Sequence, residues 1–246
     1  LKFLLNAITA VQRNAMALLI YAVGILLIQA FGLAVDYALT GGAAITPEKL
    51  TTSIRTWALV TTLIQAPLSA AITAIAFARI GKDMDRPLWR SPSDRDALQR
   101  FFQLWLVLIL ASTALLYGLD AVQARELPLT APLLLLYILL SVLTVPVGAC
   151  IMFSGSLHWR EFGHNLAPLL YQFPRTLLLG FLMLMQFMMA QQVIAARMDP
   201  AAGLRWLILA PVVTVIGAYI DCVVFAGTWL ICMEHRNADR DIDFDF

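Results

Sequence analysis

The chain has 246 residues, 61% of them hydrophobic and 13% charged, with a mean hydropathy of +0.80. A soluble domain is about half apolar and about a quarter charged, so a soluble enzyme, a disordered chain and a nucleic-acid-binding domain are excluded. Lys and Arg number 17 against 16 Asp and Glu, and a net charge of +1 offers nothing to a polyanionic partner.

Residues 1–14, LKFLLNAITAVQRN, set Leu1, Leu4, Leu5, Ile8 and Val11 at helical spacing, with Lys2, Asn6, Gln12 and Arg13 among the polar positions. The pattern predicts an amphipathic helix lying in the membrane interface. Crossing about 30 Å of hydrocarbon takes about 20 mostly apolar residues in a helix. Six stretches meet that requirement: 15–35, 57–78, 101–119, 132–154, 174–196 and 206–232. Membrane β-barrels show short alternating segments instead. The expected fold is therefore an all-α integral membrane protein with six transmembrane helices, arranged as three in-out-in hairpins behind the interfacial helix. The domain plan is 1–14, interfacial helix; 15–232, transmembrane domain; 233–246, acidic cytoplasmic tail. No A-x-A-like site closes the first run, so it is read as a retained helix.

The returning spans share a design. Span two reads APLSAAITAIAFAR and span four VPVGACIMFSGSLH. In each, a proline (Pro67, Pro146) stands 12 residues before the first polar residue, Arg79 or His158, and small residues follow it. Span six, with Pro211, is a looser copy. Small residues let membrane helices approach closely. Ala70, Ala74, Ala78, Gly148, Ala218, Cys222 and Ala226 are the expected helix-packing residues. The even spans should lie inside and the odd spans outside, with kinks at the prolines.

The 79–100 segment mixes charge signs and carries six of the basic residues. It predicts a turn and a short surface segment able to meet anionic headgroups. Twelve of the 17 Lys and Arg fall on the side of the N-terminus, which predicts cytoplasmic termini in a bacterial-type inner membrane.

Before span five, EFGHNLAPLLYQF predicts a second interfacial entry helix, with Pro174 in a first turn. His158, Glu161 and His164 fan too widely for the three or four converging ligands of a metal site. No metal and no cofactor is expected. No GxSxG, HExxH or P-loop occurs, and no His lies inside a span to ligate haem. Cys150, Cys222 and Cys232 have no metal-binding spacing and read as packing residues.

Asp221 is the only acidic residue deep in a span. A carboxylate there is costly, so it is expected to be protonated, paired or hydrated. Tyr219, Thr214, Gln65, Ser69 and Thr73 are its expected partners. In the tail, Asp239, Asp241, Asp243 and Asp245 alternate with Arg240, Ile242, Phe244 and Phe246. Period two suits an extended docking strand.

Two functions follow as expectations. The first is a non-enzymatic inner-membrane accessory or scaffolding subunit, with partners reached through the transmembrane face or the tail. The second is a small transporter or substrate-binding membrane component with Asp221 as a proton- or cation-linked site. The lipid bilayer is the one certain partner, and no nucleic acid is expected.

Overall fold

The computed structural model describes residues 2–40, 52–84, 93–123, 129–155, 161–198 and 205–243. They form eight α-helices: α1 Lys2–Arg13, α2 Ala15–Thr40, α3 Thr52–Met84, α4 Asp94–Gln123, α5 Thr130–Ser154, α6 Phe162–Tyr171, α7 Phe173–Met198 and α8 Arg205–Asp243. No strand occurs among the described residues. Six of these helices, α2, α3, α4, α5, α7 and α8, are long and apolar enough to cross a membrane. The chain is an all-helical, multi-pass membrane protein.

Local chemistry sets the joints. Asn14 breaks α1 from α2 while its carbonyl accepts the first N–H groups of α2, from Ala17 and Leu18. Its Nδ2 donates back to the Ala10 carbonyl at 3.0 Å and across to Asp83 Oδ2 at 3.1 Å. Ser93 caps α4. Its hydroxyl accepts the Asp96 N–H at 3.2 Å and donates to the Asp96 carboxylate at 2.7 Å, a reciprocal arrangement that occupies an orphan donor of the first turn. α5 stops at Gly155, whose φ of +67° is the left-handed conformation that a glycine adopts without strain. Pro67, Pro146 and Pro211 all stand inside helices that continue past them.

Burial separates two classes of span. A third of the most apolar stretch is buried in each of α3, α5 and α8, against 6%, 17% and 11% in α2, α4 and α7. The even spans thus lie inside and the odd spans toward the lipid. α8 is the hub, packing against α1, α2, α3, α5, α6 and α7. Ala70, Ala74, Ala78, Gly148, Ala218, Cys222 and Ala226 are all buried. Several glycines mark close approaches, Gly148 and Gly227 among them. A β-carbon at Gly148 would stand 2.3 Å from the Trp105 indole, and one at Gly227 would stand 2.9 Å from Leu179.

Burial is also uneven along the spans. The buried residues of the spans fall in 17–21, 66–81, 97–105, 145–152, 179–183 and 217–232, with Thr61, Leu119 and Ala210 the exceptions. All six segments sit at the end of the bundle that carries α1. There the aromatic rings interlock. Phe77 stacks on Phe225 at 4.4 Å and meets Trp105 edge-on at 5.1 Å, while Trp229 packs on both Phe225 and Phe153. Trp105 Nε1 donates to Met152 Sδ at 3.3 Å. Toward the opposite end the described residues other than Thr61, Leu119 and Ala210 are half-buried or exposed.

Polar contacts rim the packed end. Arg79 pairs with Asp94, and Arg175 pairs with Glu234, which also accepts from Gln172 at 2.9 Å. The Arg175 and Arg236 guanidinium groups lie over the Phe3 and Phe153 rings. α1 packs on α8, and its Ala7 and Val11 are fully buried.

The tail departs from the sequence expectation. Period-two alternation predicts an extended segment from residue 239, but α8 runs on through Asp243. Adding a residue to an existing helix gains a hydrogen bond without a new nucleation cost. A lone strand finds no sheet here to pair with. Residues 244–246 lie outside the described residues, as does His158.

Candidate functional site: the Asp221 junction

Asp221 lies on α8 one turn from Phe225, at the boundary between the packed and the looser halves of the bundle. The Tyr21 hydroxyl, from α2, donates to its Oδ2 at 2.9 Å. Gln186, from α7, hydrogen-bonds the same carboxyl. Thr73, from α3, stands beside the Tyr21 hydroxyl and donates its own hydroxyl to the Ser69 carbonyl at 2.7 Å. Three spans, α2, α7 and α8, therefore meet at one carboxyl group, with α3 beside them. Tyr21 and Thr73 are buried, whereas Asp221 and Gln186 are half-buried. Gln186 Oε1 is buried and has no hydrogen-bond partner.

The two sides of the junction differ in chemistry. On the packed side the neighbours are aromatic: Phe77 lies 5.1 Å from the Tyr21 ring and stacks on Phe225. On the other side polar pairs recur farther along the bundle. Thr214, seven residues and about 10 Å along α8, donates to Gln29 of α2. Gln65 Nε2 donates to the Ile28 carbonyl at 2.9 Å and lies against Gly32. Thr62 and Tyr117 share a hydrogen bond of 3.2 Å.

The partner set differs from the one expected. Gln65 binds the α2 backbone, because its register on α3 places it beside Gln29 and Ile28 rather than Asp221. Ser69 contributes its carbonyl to Thr73, and Thr73 stands beside Tyr21 without reaching the carboxyl. Tyr219 packs half-buried against the core. Thr214 is taken by Gln29. The two groups that do bind Asp221, Tyr21 and Gln186, sit in odd-numbered spans. Each is a polar tip in the midst of an apolar run, and that was the available signal. A run as bulky as LLLGFLMLMQFMMA reads as lipid-facing and hides its single amide.

Glu161 and His164 are exposed at the start of α6. Among the described residues no three His, Cys, Asp or Glu side chains gather to hold a metal ion. No protein-family model matches the chain, and no curated protein and no solved structure is significantly similar to it. The chemistry of the junction must be read from its own atoms. A carboxyl group can bind and release a proton. Beside it stand a phenol, a threonine hydroxyl and an amide oxygen with a free lone pair. These are oxygen ligands of the kind that hold a proton, a hydronium ion or a hard monovalent cation.

Proposed function

We propose that the chain is a small membrane transporter in which Asp221 is the proton- or cation-linked group. One observation carries this reading: the carboxyl is held by Tyr21 of α2 and Gln186 of α7 at the boundary between an aromatic seal and the looser half of the bundle, where polar pairs recur. An intramembrane carboxyl facing the bundle interior is a functional site by default, because its burial is costly unless used. Gln186 Oε1, buried without a partner beside it, supplies a second acceptor for an incoming ion.

The excess of basic residues on the side of the N-terminus supports cytoplasmic termini in a bacterial-type inner membrane. On that orientation the six spans form three in-out-in hairpins, α1 lies in the cytoplasmic interface, and the polar side of Asp221 faces outward. The aromatic seal of Phe77, Phe225, Trp105 and Trp229 then closes the cytoplasmic side. Transport requires that seal to open.

The test is reconstitution. Liposomes enclosing a pH-sensitive dye, with and without the full chain, are given an external acid step under a potassium clamp. The chain should speed acidification, and Asp221→Asn should return it to the protein-free rate while retaining its helical circular dichroism. The same comparison with an imposed sodium gradient identifies the ion. Identical rates for wild type and Asn under both gradients reject the reading.

A second reading, an accessory subunit of a membrane assembly, is favoured by the filled packed end. There Asp221 is a fixed acceptor that knits α2, α7 and α8 together. Asn keeps the hydrogen-bonding capacity, so it should then preserve both folding and the set of proteins that copurify after gentle extraction.

A further inference from the structure

Cys150 of α5 and Cys232 of α8 are 82 residues apart in the chain, yet their Sγ atoms lie 3.4 Å apart. Both are free thiols and both are 1% exposed. Leu169 of α6 shares their cluster, and Phe153 and Leu166 pack against it. A disulfide has an S–S length of about 2.0 Å, so the sulfurs need to close by about 1.4 Å, within the reach of small side-chain rotations. Cys222 lies ten residues earlier on α8, about 15 Å along the axis, and cannot join them.

We infer that Cys150 and Cys232 are a modification site: a dithiol that closes to a reversible disulfide and fastens α5 to α8 at the packed end. This inference rests on the thiol geometry and stands apart from the reading of Asp221. The apolar cover admits only a small, membrane-permeant oxidant, and the class that fits is a hydroperoxide. One thiol loses its proton, and its sulfur attacks the terminal peroxide oxygen. The O–O bond breaks, an alcohol leaves, and a sulfenic acid forms. The second thiol attacks that sulfur, the S–S bond forms, and water leaves. Two thiols and one hydroperoxide thus give one disulfide, one alcohol and one water, with two electrons passing from sulfur to peroxide oxygen. A dithiol reductant reverses the bond by exchange. Both helices are central to the bundle, and α8 also carries Asp221, so the bond would hold the packed end closed.

The experiment uses the full chain in lipid nanodiscs treated with tert-butyl hydroperoxide. The chain is then denatured, alkylated and mapped by peptide mass. The expected product is a peptide pair joined through Cys150 and Cys232, two hydrogens lighter than its parts, with Cys222 alone alkylated. Dithiothreitol restores three alkylated cysteines. The joined form should melt at a higher temperature than the reduced form, and Cys150→Ser should show neither the joined peptide nor the shift. Alkylation of all three cysteines after peroxide treatment, or a product joined through Cys222, overturns the proposal. A joined form that melts where the reduced one does overturns the fastening role. The wild-type map decides the chemistry even if the Ser variant fails to fold.

Discussion

Gly148 of α5 and Trp105 of α4 touch so closely that a β-carbon on the glycine would stand 2.3 Å from the indole Cη2. Trp105 has little room to retreat. It is 1% exposed, its Nε1 is held by Met152 Sδ, and its ring abuts Phe77. Gly148→Ala should therefore destabilise the bundle by overpacking, at a cost of about 1–3 kcal/mol. Thermal unfolding in detergent measures it, and an unchanged melting temperature would show that α4 and α5 separate freely here.

Ala74 and Ala226 are fully buried on two of the inner helices, α3 and α8. Leucine at either position adds three carbons where the neighbouring helices leave no space. Each substitution should cost about 1–3 kcal/mol, and Ala226→Leu should disturb the contact of α8 with its many neighbours more widely. The control is Leu135→Ala, a 68% exposed position on α5 that faces lipid in a bilayer, which should leave the melting temperature nearly unchanged.

Much of the fold was legible from residue periodicity and length, because lipid imposes a harsh and simple rule. Backbone groups must pair within a helix, and a helix must be about 20 residues long. The small-residue stripes after Pro67, Pro146 and Pro211 marked the inner helices for the same reason: only small side chains let backbones approach. The ends of the helices were less legible. α3, α4 and α8 extend past their apolar runs into charged residues, held by caps such as Ser93 and pairs such as Arg79 with Asp94. The Asp221 partners were least legible. Choosing among Tyr21, Gln65, Gln186 and Tyr219 needs the register between helices to within one turn, and no local sequence rule supplies it. The meeting of Cys150 with Cys232 was hidden for the same reason.

The orientation is open to a labelling test. Single cysteines at Ile45 and Arg90, in a background with the native thiols replaced by serine, should react with an impermeant maleimide from opposite sides. Position 45 should label in intact cells, and position 90 only after the inner face is exposed. Labelling of position 90 from outside reverses the topology, and with it the direction in which the Asp221 junction opens.

The hydrogen bond from Tyr21 to Asp221 gives the most discriminating prediction. It joins the first span to the last at 2.9 Å, where little water competes. Tyr21→Phe removes the donor and leaves the ring packed on Phe77. Asp221→Asn keeps the acceptor oxygen and cannot ionise. If the bond matters only for packing, the Tyr21→Phe loss should be about 1–2 kcal/mol, and nearly the same in the Asp221→Asn background, where the amide oxygen still accepts the bond. Ion-linked transport predicts something further. Asp221→Asn should abolish the gradient-driven flux at unchanged stability, while Tyr21→Phe should only shift the pH at which flux is half-maximal, because it changes the environment of the carboxyl without removing it. Parallel melting curves and flux titrations for the two single variants and the double variant separate these outcomes. Flux that survives Asp221→Asn, alongside a measurable loss of stability on Tyr21→Phe, would assign the junction to assembly rather than transport.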